Sequence, residues 1–243
     1  GNIRTFTYDQ NGNMLSATDP EGHTERYTYE PVFNQITSFQ DKRGNSYQFT
    51  YDERGNLTEI TGPEAYRNGY TYNLKGLPST ITDANGNVTV NDFSDTGLLL
   101  SQTDAAGNKK QFTYDTAGNL LTSKDARGFT TTYSYDNINR LTSVADPLKY
   151  KTGFSYDRLE NIVRIKDPLN RITANTYNAL GQLLSSTDPA CKMVRFIYNG
   201  KGKPVAVINQ LNDTTKITYD GSDRIVSIIN PANETVSLDY DSK

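Results

Sequence analysis

Few side chains in this sequence have intrinsic reactivity, and their spacing argues against a reaction centre. His23 is the single histidine and Cys191 the single cysteine. A catalytic histidine needs a nucleophile or a second titrating group within hydrogen-bond reach. No such partner recurs near His23, which directly follows Gly22 in a slot that comparable stretches fill with Asn, so it reads as a solvated turn residue. Cys191 has only Lys192 beside it to favour the thiolate and reads as an inert turn thiol. Acids are plentiful, 28 in all, and Asp-x-Asn-Gly-Asn occurs at residues 9–13 and 83–87. An EF-hand loop sets its Gly at the sixth position and a bidentate Glu at the twelfth. Here the Gly comes two positions early and the Glu is missing, so turn capping explains these acids better than calcium does. Glycoside hydrolysis needs one pair of carboxylates set apart from the rest, and nothing singles out a pair. The sequence implies no catalytic residue, no metal site and no cofactor.

The elements that would have to position any chemistry are limited by composition. Of 243 residues only 35% are hydrophobic, which is low for a compact globule and implies a thin apolar layer. There are 17 Tyr and 9 Phe but no Trp, and Tyr suits a half-wet surface because it joins an apolar ring to a hydroxyl. A net charge of −3 with mixed signs leaves no footprint for nucleic acid or an acidic membrane. One cysteine rules out an internal disulfide. No apolar run reaches membrane-span length, and the first residues lack a basic-then-apolar leader pattern, so neither a span nor a signal peptide is expected within this piece.

Self-similarity supplies the organisation. Tyr8, Tyr29, Tyr51, Tyr72, Phe93, Tyr114, Tyr135, Tyr156, Tyr177, Tyr198, Tyr219 and Tyr240 recur every 21 residues, except for one interval of 22 between Tyr29 and Tyr51. The unit reads Y-D-x-x-G-N-L-L-x-x-x-D-P-x-G-N-x-T-x-F-T and contains two Asp-x-x-Gly corners. Asp at the first position of a type I turn caps its own backbone, and Gly at the last takes the left-handed conformation that a hairpin bulge needs. The corner glycines are Gly12, Gly22, Gly44, Gly55, Gly76, Gly86, Gly97, Gly107, Gly118, Gly128, Gly181 and Gly202. Elsewhere the same slot holds Asn139, Asn170, Asn212, Asp223 or Asn233, the residue types most tolerant of positive φ, which points to backbone geometry rather than a ligand.

Between corners lie segments of about six or seven residues rich in Leu, Ile, Val, Thr, Tyr and Phe, as strands are. Pairs such as Tyr27 and Tyr29, or Phe112 and Tyr114, are two residues apart and share one strand face; stacked from hairpin to hairpin they would form an aromatic ladder. No segment has helical periodicity. The expected fold is all-β: a continuous antiparallel meander of about 22 short strands, built of β-hairpin repeats and curling into a spiral or partial shell because sheet twist forbids a flat ribbon. At about 4.8 Å per strand the ribbon would be on the order of 105 Å long, too short to enclose a protein domain by itself. A β-propeller would need two alternating kinds of hairpin, whereas successive units here look alike. Residues 1–243 read as a single array. Gly1-Asn2 matches the pair after a D-P-x corner and the chain stops within a Tyr-Asp corner, so the expectation is a piece cut mid-repeat from a longer array.

Tyr-Asp-x-x-Gly-Asn-Leu followed by Asp-Pro-x-Gly resembles the YD or Rhs repeat family along essentially the whole chain. That family includes bacterial Rhs and wall-associated polymorphic toxins, the C components of insecticidal toxin complexes, and teneurins. The resemblance implies a spiralling β-shell around a toxic C-terminal domain, with the rest of the parent shell and that toxin or effector domain as partners. It also implies a secreted or cell-surface location, as for a bacterial secretion-system effector or toxin. The self-cleaving core that ends such shells has no counterpart here. Lys149 and Cys191 occupy the second Gly slot, Glu160 the first, Gly62 replaces a corner Asp, residues 30–35 hold the extra residue, and Pro204 falls in a strand; bulges or wider loops are expected there.

Two functions follow. The first is architectural: a non-enzymatic wall segment that helps enclose and deliver a toxin or effector. The second is an extracellular adhesion module that binds a protein or a cell-surface glycan on exposed Tyr rows. Known wall-binding repeats of similar length depend on Gly-Trp steps, and this sequence has no Trp.

Overall fold

The computed structural model describes residues 3–241, so the Gly1-Asn2 match lies outside the described residues. These residues form 23 strands and one short 3-10 turn, Pro63–Ala65. The chain falls into two compact units, Gly1–Phe129 and Thr130–Lys243. Within each unit every strand pairs antiparallel with its neighbours in sequence. The expected antiparallel meander is what forms, from strands mostly of five or six residues. They are slightly shorter than expected because each corner consumes five residues.

Two kinds of strand alternate. One ends on the repeat aromatic, as in Thr24–Tyr29, Ser46–Tyr51 and Lys109–Tyr114; the other follows the Tyr-Asp corner, as in Ile36–Gln40, Leu57–Thr61 and Leu120–Lys124. The sequence points to hairpin bulges at the glycine corners and to bulges or wider loops at the irregular repeats; the structure fixes where the register shifts. Every hairpin closed by a Tyr-Asp corner shifts register one residue before its aromatic: Thr28 faces Ser38 but Tyr29 faces Ile36, and Thr113 faces Thr122 but Tyr114 faces Leu120. The bulge is therefore part of the repeat. It bends one strand per unit and lets the aromatic and the corner share a short hairpin.

The aromatic ladder is corrected. Repeat aromatics of neighbouring hairpins are two strand spacings apart, about 9.6 Å, too far for ring contact. The intervening strand fills the row instead: Tyr70 faces Ile81, Tyr133 faces Val144 and Phe154 faces Ile165. Rings touch in succession where that strand supplies an aromatic, as in Tyr27, Phe39 and Tyr47 at 5.1 and 5.9 Å, a run that ends edge-on against Tyr66 at 6.4 Å. The opposite face carries hydroxyls paired across strands: Thr7 with Ser16, Thr71 with Thr80, and Thr113 with Thr122, each at 2.6 Å.

With one layer there is almost nowhere to hide. Among the described residues Ala206 is the one buried hydrophobic residue, while Asn91, Ser101, Ser143 and Ser185 are buried polar residues. Corner backbone geometry then matters more than a core. The corner glycines hold φ between 74° and 90°, and Asn139, Asn170, Asn212, Asp223 and Asn233 sit at 62° to 67°. Lys149, Glu160 and Cys191 are forced into the same region at 71°, 66° and 62°. Gly62 has no carboxylate with which to cap its corner, and that corner alone contains the 3-10 turn, with Glu64 and Ala65 both at positive φ. A Cβ at Gly62 would lie 2.7 Å from the Tyr47 ring, so an Asp there would collide with the aromatic run. Pro204 opens the strand Pro204–Ile208, the position where a strand proline costs least.

A left-handed conformation costs a non-glycine residue about 1–2 kcal/mol, partly offset by the greater chain entropy of Gly. Lys149→Gly and Cys191→Gly should each stabilise the protein by about 0.5 kcal/mol in urea unfolding, whereas Gly118→Ala should destabilise it by about 1 kcal/mol. A neutral result for all three would separate corner backbone conformation from stability.

Candidate functional site: the Tyr-Asp corner

The feature that recurs in every repeat is a hydrogen-bonded corner, and its chemistry divides between Asp and Tyr. In the Asp115 corner the Asp115 N–H donates to the Asn119 carbonyl at 3.0 Å, and the Gly118 N–H donates to the Asp115 carbonyl at 3.1 Å. The Asp115 carboxylate receives the N–H groups of Ala117 and Asn119 on Oδ1 and the Asn119 Nδ2 on Oδ2, all at 2.9 Å. The same bonding appears at Asp9, Asp41, Asp52, Asp83 and Asp104. Both corners of the unit are thus one device, and the Asn after the Gly belongs to it, a role that sequence reasoning had not assigned. Where Arg replaces that Asn, Arg140, Arg171 and Arg224 turn Nε onto Asp136, Asp167 and Asp220 at 2.6–2.7 Å. In the six-residue corner Glu30 replaces Asp, and its extra methylene lets the carboxylate reach the N–H groups of Val32, Phe33 and Gln35 at 2.7–3.0 Å.

The Tyr half joins successive hairpins. After a D-P-x-G corner the ladder runs for only three pairs, such as Ser16–Arg26, Ala17–Glu25 and Thr18–Thr24, and then the bulge parts the strands. The Tyr hydroxyl donates to the backbone carbonyl that begins the preceding strand: Tyr29 to Met14, Tyr51 to Ile36, Tyr72 to Leu57, Tyr114 to Leu99, Tyr156 to Leu141, Tyr177 to Ile162, Tyr198 to Leu183, Tyr219 to Pro204 and Tyr240 to Ile225, at 2.7–3.1 Å. Phe93 has no hydroxyl, and Asn91, two residues earlier on the same face, donates Nδ2 to the equivalent Pro78 carbonyl at 2.9 Å. Tyr8 ends the first strand with 58% of its surface exposed, and Tyr135 ends Thr130–Tyr135.

The reactive residues belong to corners as well. His23 fills the Asn slot: its N–H donates to Asp19 Oδ1 at 2.9 Å, and its Nδ1 lies 3.4 Å from Asp19 Oδ2 and 3.7 Å from Glu21. Cys191 is exposed, and its N–H donates to the Asp188 carbonyl at 3.0 Å. The structure brings neither residue to the other or to a pocket with polar partners. The Asp9 and Asp83 carboxylates of the calcium-like motifs are turned onto their own corners. Nine of the repeat tyrosines that would serve a glycan have their hydroxyls committed to backbone carbonyls.

Ionisation favours the capped state. The side-chain amide of the neighbouring Asn, followed by the same residue's N–H, holds Asp52, Asp83, Asp104 and Asp115 below the usual carboxylate range. At Asp19 desolvation pushes upward, but the Lys42 ammonium at 3.0 Å and the His23 N–H outweigh it and bring the value down to about 2.

Hairpins of two alternating strand types, capped by carboxylates and joined by Tyr hydroxyls, define a β-repeat wall. Residues 1–103 match the teneurin YD-shell family, and residues 93–130, 114–149 and 135–172 match the RHS repeat. Together these models cover residues 1–172, and over that span the chain belongs to the YD/Rhs repeat family. Among solved structures it is similar to a crystal structure of TcdB2-TccC3-TEV, with a TM-score of 0.75 at 18% identity over 93% of this chain and 14% of that one. It is also similar to the Photorhabdus luminescens Tc holotoxin pore carrying a TccC3 mutation, with a TM-score of 0.56 at 15% identity over 94% of this chain and 17% of that one. At those identities the likeness shows the fold alone, and this chain spans less than a fifth of each neighbour. No curated protein matches it.

Two outcomes test the corner. Asn91→Phe should leave the Pro78 carbonyl unpaired and cost about 1–3 kcal/mol, and adding Phe93→Tyr should restore most of that loss. A double-mutant cycle with no coupling would remove the carbonyl from the account. Because corner carboxyls are more acidic folded than unfolded, their contribution is complete above the unfolded value and lost as pH falls through the folded one, a window that opens at about pH 4 and at Asp19 reaches about pH 2. Melting temperature should fall across that window, and the fall should be shallower in the combined Asp52→Asn, Asp83→Asn, Asp104→Asn and Asp115→Asn variant. An unchanged slope would exclude the carboxylates as its source.

Proposed function

We propose that this chain is one stretch of a longer YD-repeat shell whose wall encloses a toxin or effector domain until delivery, and that residues 1–243 act as a single array within it. The observation that carries this reading is the repeated corner. A wall that must extend without a dry core needs each hairpin fixed to the one before it, and the Tyr hydroxyl to carbonyl bond does that in nine repeats, with Asn91 standing in beside Phe93. The family supports a structural role, and the similarity to Tc holotoxin components supports the toxin context. The reading assigns no reaction and no cofactor to this chain. The partners it assigns are the neighbouring repeats of the parent shell and the enclosed domain, and the location it assigns is secreted or at the cell surface.

Protease protection in the full-length parent tests the proposal. The domain beyond the repeats should resist trypsin while the wall is intact and become cleavable when urea or a set of Tyr→Phe changes opens it. Cleavage of that domain at the rate of the free domain, with the repeats still folded, would overturn enclosure and favour adhesion to a protein or a surface glycan.

A further inference from the structure

Among the described residues the hydroxyl face has a hollow over a strand glycine in each unit. Gly69 and Gly153 stand three residues before a repeat Tyr, a position that other repeats fill with Arg26, Gln48 or Gln111. The cavity at Gly69 has a volume of about 550 Å³ and that at Gly153 about 670 Å³. Their charges differ. At Gly69, Arg67 is ion-paired with Glu59, and the next strand contributes Thr80 and Thr82. At Gly153 the matching positions hold Lys151, Ser143, Arg164 and Lys166, and the corner adds Lys149.

Register forces these cations together. Gly153 pairs with Lys166 and Ser155 with Arg164, so the two basic residues flank the glycine on the same face of the next strand. Among the described residues none of Lys149, Lys151, Arg164 and Lys166 has an ion-pair partner. Asp167, the acid at the rim, is occupied by Arg171 Nε at 2.6 Å and by the N–H groups of Leu169 and Arg171 at 2.9 Å. Like charges gathered at strand-neighbour distance repel one another, and an anion placed between them reverses the sign of that interaction. Tyr150, 56% exposed, lines the same hollow and offers a ring face.

We propose that the Gly153 hollow binds the sulfate or phosphate ester of a small anionic saccharide, with Lys151, Arg164 and Lys166 holding the ester oxygens and Tyr150 lying against the sugar ring. The glycine is a specificity element: it provides the space, and its twin at Gly69 has the space without the charge. The site is separate from the Tyr rows and does not depend on whether the wall encloses a cargo.

Titration calorimetry on the 243-residue chain tests the site with a heparin-derived sulfated disaccharide, glucose 6-phosphate and an uncharged disaccharide. The esters should bind and the uncharged sugar should not, and whichever ester binds more tightly identifies the source. Gly153→Gln, which copies the residue of other repeats, should lower affinity at least about tenfold, and so should the Lys151→Gln, Lys166→Thr double variant. Gly69→Gln should leave binding unchanged. A Cβ at Gly153 meets its nearest atoms at 3.8 and 3.9 Å, so the first variant should fold, which its melting curve will check; if it does not, the double variant decides. No heat from either ester at about 10 mM, equal binding of the uncharged sugar, or undiminished binding by the double variant would overturn the proposal.

Discussion

A β-sheet one strand thick has to satisfy its backbone without help from a dry interior, and every other feature of this protein answers to that constraint. Apolar burial ends at half-buried rows, with Ala206 as the one buried hydrophobic residue among the described residues. Unpaired N–H and C=O groups near such a surface are costly. The corners absorb the N–H groups into Asp carboxylates, and the Tyr hydroxyls absorb the carbonyls that the recurring bulge frees. The two residues of the Tyr-Asp dipeptide therefore have separate tasks: Asp closes its own hairpin, and Tyr fastens that hairpin to the preceding one.

This division explains which departures from the repeat are tolerated. Corner Asp gives way to Asn at Asn73, Asn178, Asn199, Asn209 and Asn230, since an amide oxygen accepts the same two N–H groups. The following Asn gives way to Arg, which keeps the bond to the carboxylate and gains a ring: Arg140 stacks over Tyr156 at 4.8 Å and Arg224 over Tyr240 at 4.4 Å. Phe93 is tolerated because Asn91 replaces the missing hydroxyl. The insertion at residues 30–35 comes with Glu30, whose reach fits the longer loop. In each case the hydrogen-bonding function is retained while the residue changes.

Such a wall leaves one face lined with Thr and Ser hydroxyls. Where a strand glycine opens a hollow in that face, the surrounding positions are free to carry binding chemistry without disturbing the corners. The two hollows share a strand glycine and matching strand positions but differ in the side chains placed around them, as expected when function is added to a scaffold rather than built into it.

Much of this was legible in the sequence. Period and composition determined that the protein is all-β, that it reverses direction twice per repeat, and that Asp and a Gly-like residue make the reversals, because turn chemistry is local and its signals lie within five residues. The reading of His23 and Cys191 as corner residues followed from the same spacing. The position of the register shift before each repeat aromatic, the target of each Tyr hydroxyl and the gathering of Lys151, Arg164 and Lys166 around Gly153 were not legible. Each depends on which residues of adjacent strands face one another, and a one-residue register shift moves every side chain to the other face. That register is set by pairing between strands, so tertiary structure alone decided it.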